Sequence, residues 1–197
     1  MMNRLADKDK RRQIIRAAVK VFSRKGFHDA KVEEIAQVAD VGKGTVYEYF
    51  SSKTELFQEM FKTGMQFYLD NMINELKPGL SSREKLTRIA RLHLRFVNSY
   101  KDLARVTMTE NAYFDEDFRK WIWENRNRKI EMLRDIIDEG IKNGEFRETN
   151  SHAAALALTG ALGALFSPVI FSGTKINTKE ILEPVLDIVF NGLLTRD

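Results

Sequence analysis

Lys43, Thr45, Tyr47, Tyr49 and Lys53 crowd one short stretch of the chain, and their ammonium and hydroxyl groups are suited to gripping phosphates and base edges. That chemistry is binding, not bond-making. The chain has no cysteine, hence no thiol nucleophile, thiolate zinc site or disulfide framework. Its three histidines, His28, His93 and His152, lie far apart without ligand spacing, so no metal site is expected. Gly42-Lys43-Gly44 lacks the third glycine of a phosphate-cradling loop and precedes no nucleotide-binding unit. No serine sits in a strand-turn-helix context. Catalytic residues, metal and cofactor are all expected to be none.

The elements that must position those side chains lie in residues 32–57, VEEIAQVADVGKGTVYEYFSSKTELF. Val32, Ile35, Ala36 and Ala39 recur at helical spacing, with Glu33, Glu34 and Gln37 on the other side. A turn at Asp40-Val41-Gly42 follows, and then a short helix, Lys43 to Phe50, that turns Val46 and Phe50 inward. A helix with so little to bury has much to present, and this pattern is a helix-turn-helix whose second helix enters the major groove. Charge points the same way. Residues 1–53 carry 12 Lys and Arg against 7 Asp and Glu, whereas the remainder carries 20 against 21, so the basic end is the end with this pattern.

The rest of the chain reads as helix. With 43% apolar and 30% charged residues it is globular, and only three prolines and few alternating patterns predict an all-α fold of about nine helices. A first helix runs from about Lys8 to Lys25 and stops at Gly26. Ser52 with Glu55 and Ser81 with Glu84 fit capping boxes, Asp115 and Asn150 cap two more helices, Asn177 with Glu180 caps the last, and a short helix is expected over Leu103 to Glu110. Residues 151–174 lack any charge, but their alanines, hydroxyl residues and Pro168 favour a buried, subunit-joining helix over a membrane span. The N-terminus lacks a secretion signal, and a cytoplasmic location is expected.

In this order the first helix, the turn pair and the capped fourth helix resemble the DNA-binding head of the TetR family of bacterial transcriptional regulators. The resemblance spans residues 10–57 and rests on Ala17, Phe22, Gly26-Phe27, Val32, Ile35-Ala36, Ala39, Val41, Lys43-Gly44-Thr45, Tyr47, Phe50, Lys53 and Leu56. Gly144-Glu145-Phe146-Arg147, ahead of a small-residue helix containing Gly160, looks similar too. The resemblance implies a head over 1–53, a ligand-binding and dimerisation domain over 54–197, and a homodimer on a double-stranded DNA operator. Its half-sites would lie about 34–36 Å apart. Lys43, Gly44 and Thr45 would approach bases or phosphates, Tyr47 and Tyr49 would bond phosphates, and Lys53 would reach one at the start of the fourth helix. Ala30, Lys31, Gly42, Glu48 and Tyr49 depart from the common pattern, and Lys31 would supply a cation where a hydroxyl usually stands.

A ligand cavity is implied as well. The stretch from Phe57 to Met132 holds 11 of the 20 aromatic residues and five of the seven methionines, so its ligand would be apolar or aromatic. Candidate lining residues are Met65, Tyr68, Met72, His93, Phe96, Tyr100, Met108, Phe118, Trp121 and Ile122. Leu158, Leu162, Phe166, Val185, Ile188 and Val189 are candidates for the dimer interface, on helices expected over 151–172 and 178–194. The expected function is a repressor released from its operator by a small molecule, with the fourth helix transmitting the signal. The alternatives are an activator or protein-responsive regulator of the same fold, and a helical carrier of apolar molecules.

Overall fold

A computed structural model describes residues 2–99, 114–165 and 177–192. Among them are eight α-helices and no strand: α1 Met2–Asp29, α2 Val32–Val38, α3 Lys43–Tyr49, α4 Lys53–Glu75, α5 Ser82–Ser99, α6 Glu116–Lys142, α7 Ser151–Ala164 and α8 Glu183–Asn191. A π-helical turn, Thr178–Leu182, precedes α8. The fold is all-α as expected. No described helix is long and apolar enough to cross a membrane. The short helix expected over Leu103 to Glu110 lies outside the described residues, as do Tyr100, Met108, Phe166 and Pro168.

Residues 2–67 and 114–119 form one compact unit, the head. Its core is built by the apolar stripe of α1, Ile14, Ala18, Val21 and Phe22, with Ile35 and Ala36 of α2, Val46 of α3 and Leu56 and Phe57 of α4, all buried. Phe22, Phe27 and Phe61 each set their rings within 5.1 Å of Phe57. Each fully buried ring contributes about 1.5–3 kcal/mol. The first helix is broken where expected, because Gly26 adopts φ 75°, which other residues reach only under strain. It begins earlier than expected, at Met2. Arg11 pairs with Glu59 and covers the Phe50 ring at 5.1 Å, pinning α1 to α4.

The second unit comprises the described residues 68–99 and 120–192. The boundary expected after Lys53 coincides with the start of α4, whereas the compact units divide between Phe67 and Tyr68, inside that helix. The reason is packing: Leu56, Phe57, Met60 and Phe61 are buried in the head core. In the second unit α5 buries Leu86, Ile89, Leu94 and Val97, α6 buries Ile130, Leu133, Ile136 and Ile137, and α7 buries Ala155, Leu158 and Leu162.

Local side-chain caps open four of the helices, α4 to α7. Ser81 and Glu84 make the full reciprocal box, Glu84 N–H to Ser81 Oγ at 3.1 Å and Ser81 N–H to Glu84 Oε2 at 2.9 Å. Asp115 accepts from Phe118 N–H and Asn150 from Ala153 N–H. The box at α4 differs by one residue: Ser52 Oγ accepts from Glu55 N–H, but Glu55 reaches back to the N–H and Oγ of Ser51. Asn177 accepts from Lys179 N–H, and the turn it opens is π-helical before Pro184 sets the first turn of α8.

Candidate nucleic-acid interface

The turn between α2 and α3 is a Schellman motif. Val41 N–H donates to Ala36 O at 3.0 Å and Asp40 N–H to Gln37 O at 3.1 Å, closing α2 with Asp40 at φ 50°. The left-handed residue is therefore Asp40, not the glycine. Gly42 sits in extended backbone as the N-cap of α3, without a side-chain cap bond. Gln13 of α1 donates to Ala39 O at 2.8 Å and ties the turn to the first helix. These contacts fix α3 with Val46 inward and the rest of its surface outward.

On that surface the structure brings together Lys31, Lys43, Gly44 and Tyr47, all exposed, with Thr45 and Tyr49 half-buried. The Lys43 ammonium lies 5.9 Å from the centre of the Tyr47 ring and 2.5 Å from the Glu33 carboxylate. That hydrogen-bonded pairing raises the Lys43 pKa and lowers that of Glu33, and the nearby Lys31 lowers Glu33 further. Lys53 is placed differently from the other cations. Its ammonium donates to His28 O at 3.0 Å and lies 4.6 Å from the Phe27 ring, and partial burial holds its pKa below the usual lysine value. Neither pairing had a local sequence signal, because both join residues on different helices.

Gly44 has nothing within 4 Å of where a Cβ would stand. The fold does not need glycine there; the close approach of a DNA backbone would. Gly44→Ala is expected to leave the melting temperature unchanged or raise stability by up to about 1 kcal/mol through helix propensity. The same variant is expected to weaken duplex binding about tenfold or more, through loss of close contacts of α3. Paired thermal melts and anisotropy titrations check this, and an unchanged affinity would remove Gly44 from the interface.

The residues expected to line a ligand site divide between the units. Phe118 belongs to the head, where its ring packs 4.8 Å from Phe114 and 6.1 Å from Phe61, and Met65 is half-buried on the head portion of α4. Tyr68, His93 and Phe96 meet in the second unit: Tyr68 Oη and His93 Nδ1 are 3.0 Å apart, and the Tyr68 and Phe96 rings are 5.1 Å apart. Met72 is fully buried and Trp121 and Ile122 half-buried. Burial pushes the His93 pKa down to about 3, helped by the Lys129 charge and opposed by a backbone hydrogen bond with Leu162, and burial pushes Tyr68 up.

Of the interface candidates, Leu158 and Leu162 point into their own chain and are buried there, Ile188 is exposed, and Val185 and Val189 are half-buried. The outward side of α7 carries Ala153, Leu156, Ala157, Gly160, Gly163 and Ala164 instead. Among the described residues no cluster of His, Asp and Glu could hold a metal ion.

A short helix that exposes Lys43, Gly44 and Tyr47 and is held out by a Schellman turn has the form of a helix-turn-helix. The profile of bacterial regulatory proteins of the tetR family matches residues 14–60, and that of the tetracyclin repressor-like C-terminal domain matches residues 79–193. The chain belongs to the TetR family and is a DNA-binding transcriptional regulator. It is 28% identical to the fatty acid metabolism regulator protein of Bacillus subtilis, over 92% of this chain and 94% of that one. The structure of the fatty acid degradation regulator FadR from Bacillus halodurans is similar, with TM-score 0.82 and 27% identity over 95% of this chain and 97% of that one. FadR from Bacillus subtilis in complex with stearoyl-CoA has TM-score 0.81 and 28% identity over 92% and 98%.

Proposed function

We propose that this regulator is a homodimeric repressor that leaves its operator when its C-terminal unit takes up a long-chain acyl-CoA. The observation that carries this reading is the likeness, over nearly the whole of both chains, to a FadR structure in complex with stearoyl-CoA. The apolar interior of the second unit agrees with such a tail: Tyr68, Met72 and Phe96 are side chains that pack a flexible hydrocarbon well. Helix α4 is the transmission element, since one continuous helix carries Lys53 at its start and Tyr68 and Met72 near its end. Dimerisation uses the outward side of α7 with Ile188 of α8, related by a two-fold axis. By linkage, operator DNA weakens acyl-CoA binding by the same factor that acyl-CoA weakens DNA binding.

The test is fluorescence anisotropy on the duplex upstream of the chain's own gene, titrated with stearoyl-CoA, octanoyl-CoA, free stearate and coenzyme A alone. Release by stearoyl-CoA and not by coenzyme A supports the reading. Binding that none of the four changes would sink the ligand assignment. A reporter gene behind the same duplex separates repressor from activator by the direction of its response.

A further inference from the structure

The ion pair between Glu33 of α2 and Lys43 of α3 sits on the surface that meets DNA, and it is odd there. An acid facing phosphates costs affinity, and a lysine already paired offers no net charge. Nothing in the fold demands the pair: the side chains of Glu33 and Lys43 are 58% and 51% exposed, neither contributes to the buried core, and exposed pairs hold a fold together weakly. The turn beneath them is secured instead by its Schellman hydrogen bonds and by Gln13.

We infer that Glu33 is a specificity-determining residue: it neutralises Lys43 against non-cognate DNA and gives it up only where α3 seats fully in its operator. Loose, sequence-independent complexes are held by net charge, through release of counterions from the duplex. In that mode a paired Lys43 counts for nothing, so Glu33 subtracts one cation from non-specific binding. In the seated complex the Lys43 ammonium comes within bonding distance of a phosphate or base edge. Separating an exposed pair then costs little. The pair therefore penalises the wrong DNA more than the right one. Specificity is such a difference, and a repulsive or masking element is a common way to make it.

The experiment compares two duplexes: one of random sequence, and the tightest binder selected from a random pool. Affinities are measured over a salt series for the wild type, Glu33→Gln, Glu33→Asp and Glu33→Gln combined with Lys43→Ala. Glu33→Gln is expected to tighten random-sequence binding about threefold to tenfold and to steepen its log–log salt dependence by about 0.9. It should change binding to the selected duplex by less than about twofold, so that the specificity ratio falls by nearly the whole gain. Glu33→Asp, which keeps the charge, should preserve the ratio, and adding Lys43→Ala to Glu33→Gln should return random-sequence affinity and its salt slope to the wild-type values, because the net charge is again that of the pair. An equal gain on both duplexes would mean a general charge effect and overturn the proposal. Weaker binding to both would mean that Glu33 merely props Lys43 in place, and would overturn it too. Thermal melts of each variant confirm the folded state.

Discussion

Gly140→Ala lowers the stability of the C-terminal unit by about 2 kcal/mol or more, despite the roughly 1 kcal/mol that alanine gains in helix propensity. Gly140 is buried near the end of α6, and a Cβ there would stand 2.3 Å from Phe146 Cδ2 and 2.9 Å from Ser82 Cβ. Neither neighbour can yield easily. The Phe146 backbone is fixed because its N–H and that of Glu145 both donate to Gly140 O, at 3.1 and 2.8 Å, in a Schellman turn completed by Gly144 at φ 73°. Its ring stacks on Phe190 at 6.1 Å. Ser82 is fixed from the other side, since Glu145 accepts from the N–H groups of Ser82 and Arg83 at 3.0 and 3.2 Å and so caps α5. In a chain of this size the loss corresponds to a fall of roughly 4–8 °C in melting temperature. Phe146→Leu added to Gly140→Ala should recover part of it, because the two side chains compete for one space. A single variant that melts at or above wild type would refute the clash.

That cluster also marks how far the sequence could be read. Ser81 with Glu84, Asp115 and Asn150 were legible as caps because the partners lie within three residues and the chemistry is local. Glu145 caps the same helix as Ser81, yet it comes from more than sixty residues away and no local pattern announces it. The helix-turn-helix was legible for the converse reason: three short apolar stripes allow few packings. Its turn lies at Asp40-Val41-Gly42 as expected, with Gly42 at the cap of α3, but that Asp40 takes the left-handed conformation had no signal in the sequence. Lys53 was legible as a cation at the start of α4, but its hydrogen bond to His28 O depends on how α1 ends. The phase of α7 was illegible on physical grounds. Residues 151–164 are uncharged all round, so no polar face tells which side meets the chain's own core, and Leu158 and Leu162 proved to be that side.

Acid should destabilise the C-terminal unit well before its carboxylates titrate. His93 is buried beside Tyr68, with Lys129 of α6 adding a like charge, and its folded pKa is about 3 against 6.5 for an ordinary histidine. Below pH 6.5 the unfolded chain therefore takes up a proton that the folded chain refuses. The stability this group contributes is complete above pH 6.5 and falls as the pH drops toward 3, at about 1.4 kcal/mol per pH unit. Between pH 6.5 and about pH 5 the loss is roughly 2 kcal/mol. The resolved carboxylate shifts, at Glu33, Glu34, Glu59, Glu84 and Asp115, are all downward from 4.5 or 3.8, so these groups contribute little in that window. His93→Gln isolates the effect, because glutamine does not titrate while its carbonyl can still accept from the Tyr68 hydroxyl. Urea unfolding at several pH values should give a steep slope for the wild type and a flatter one for the variant. Equal slopes would mean that His93 takes up its proton alike in the folded and unfolded chains, and would overturn the prediction.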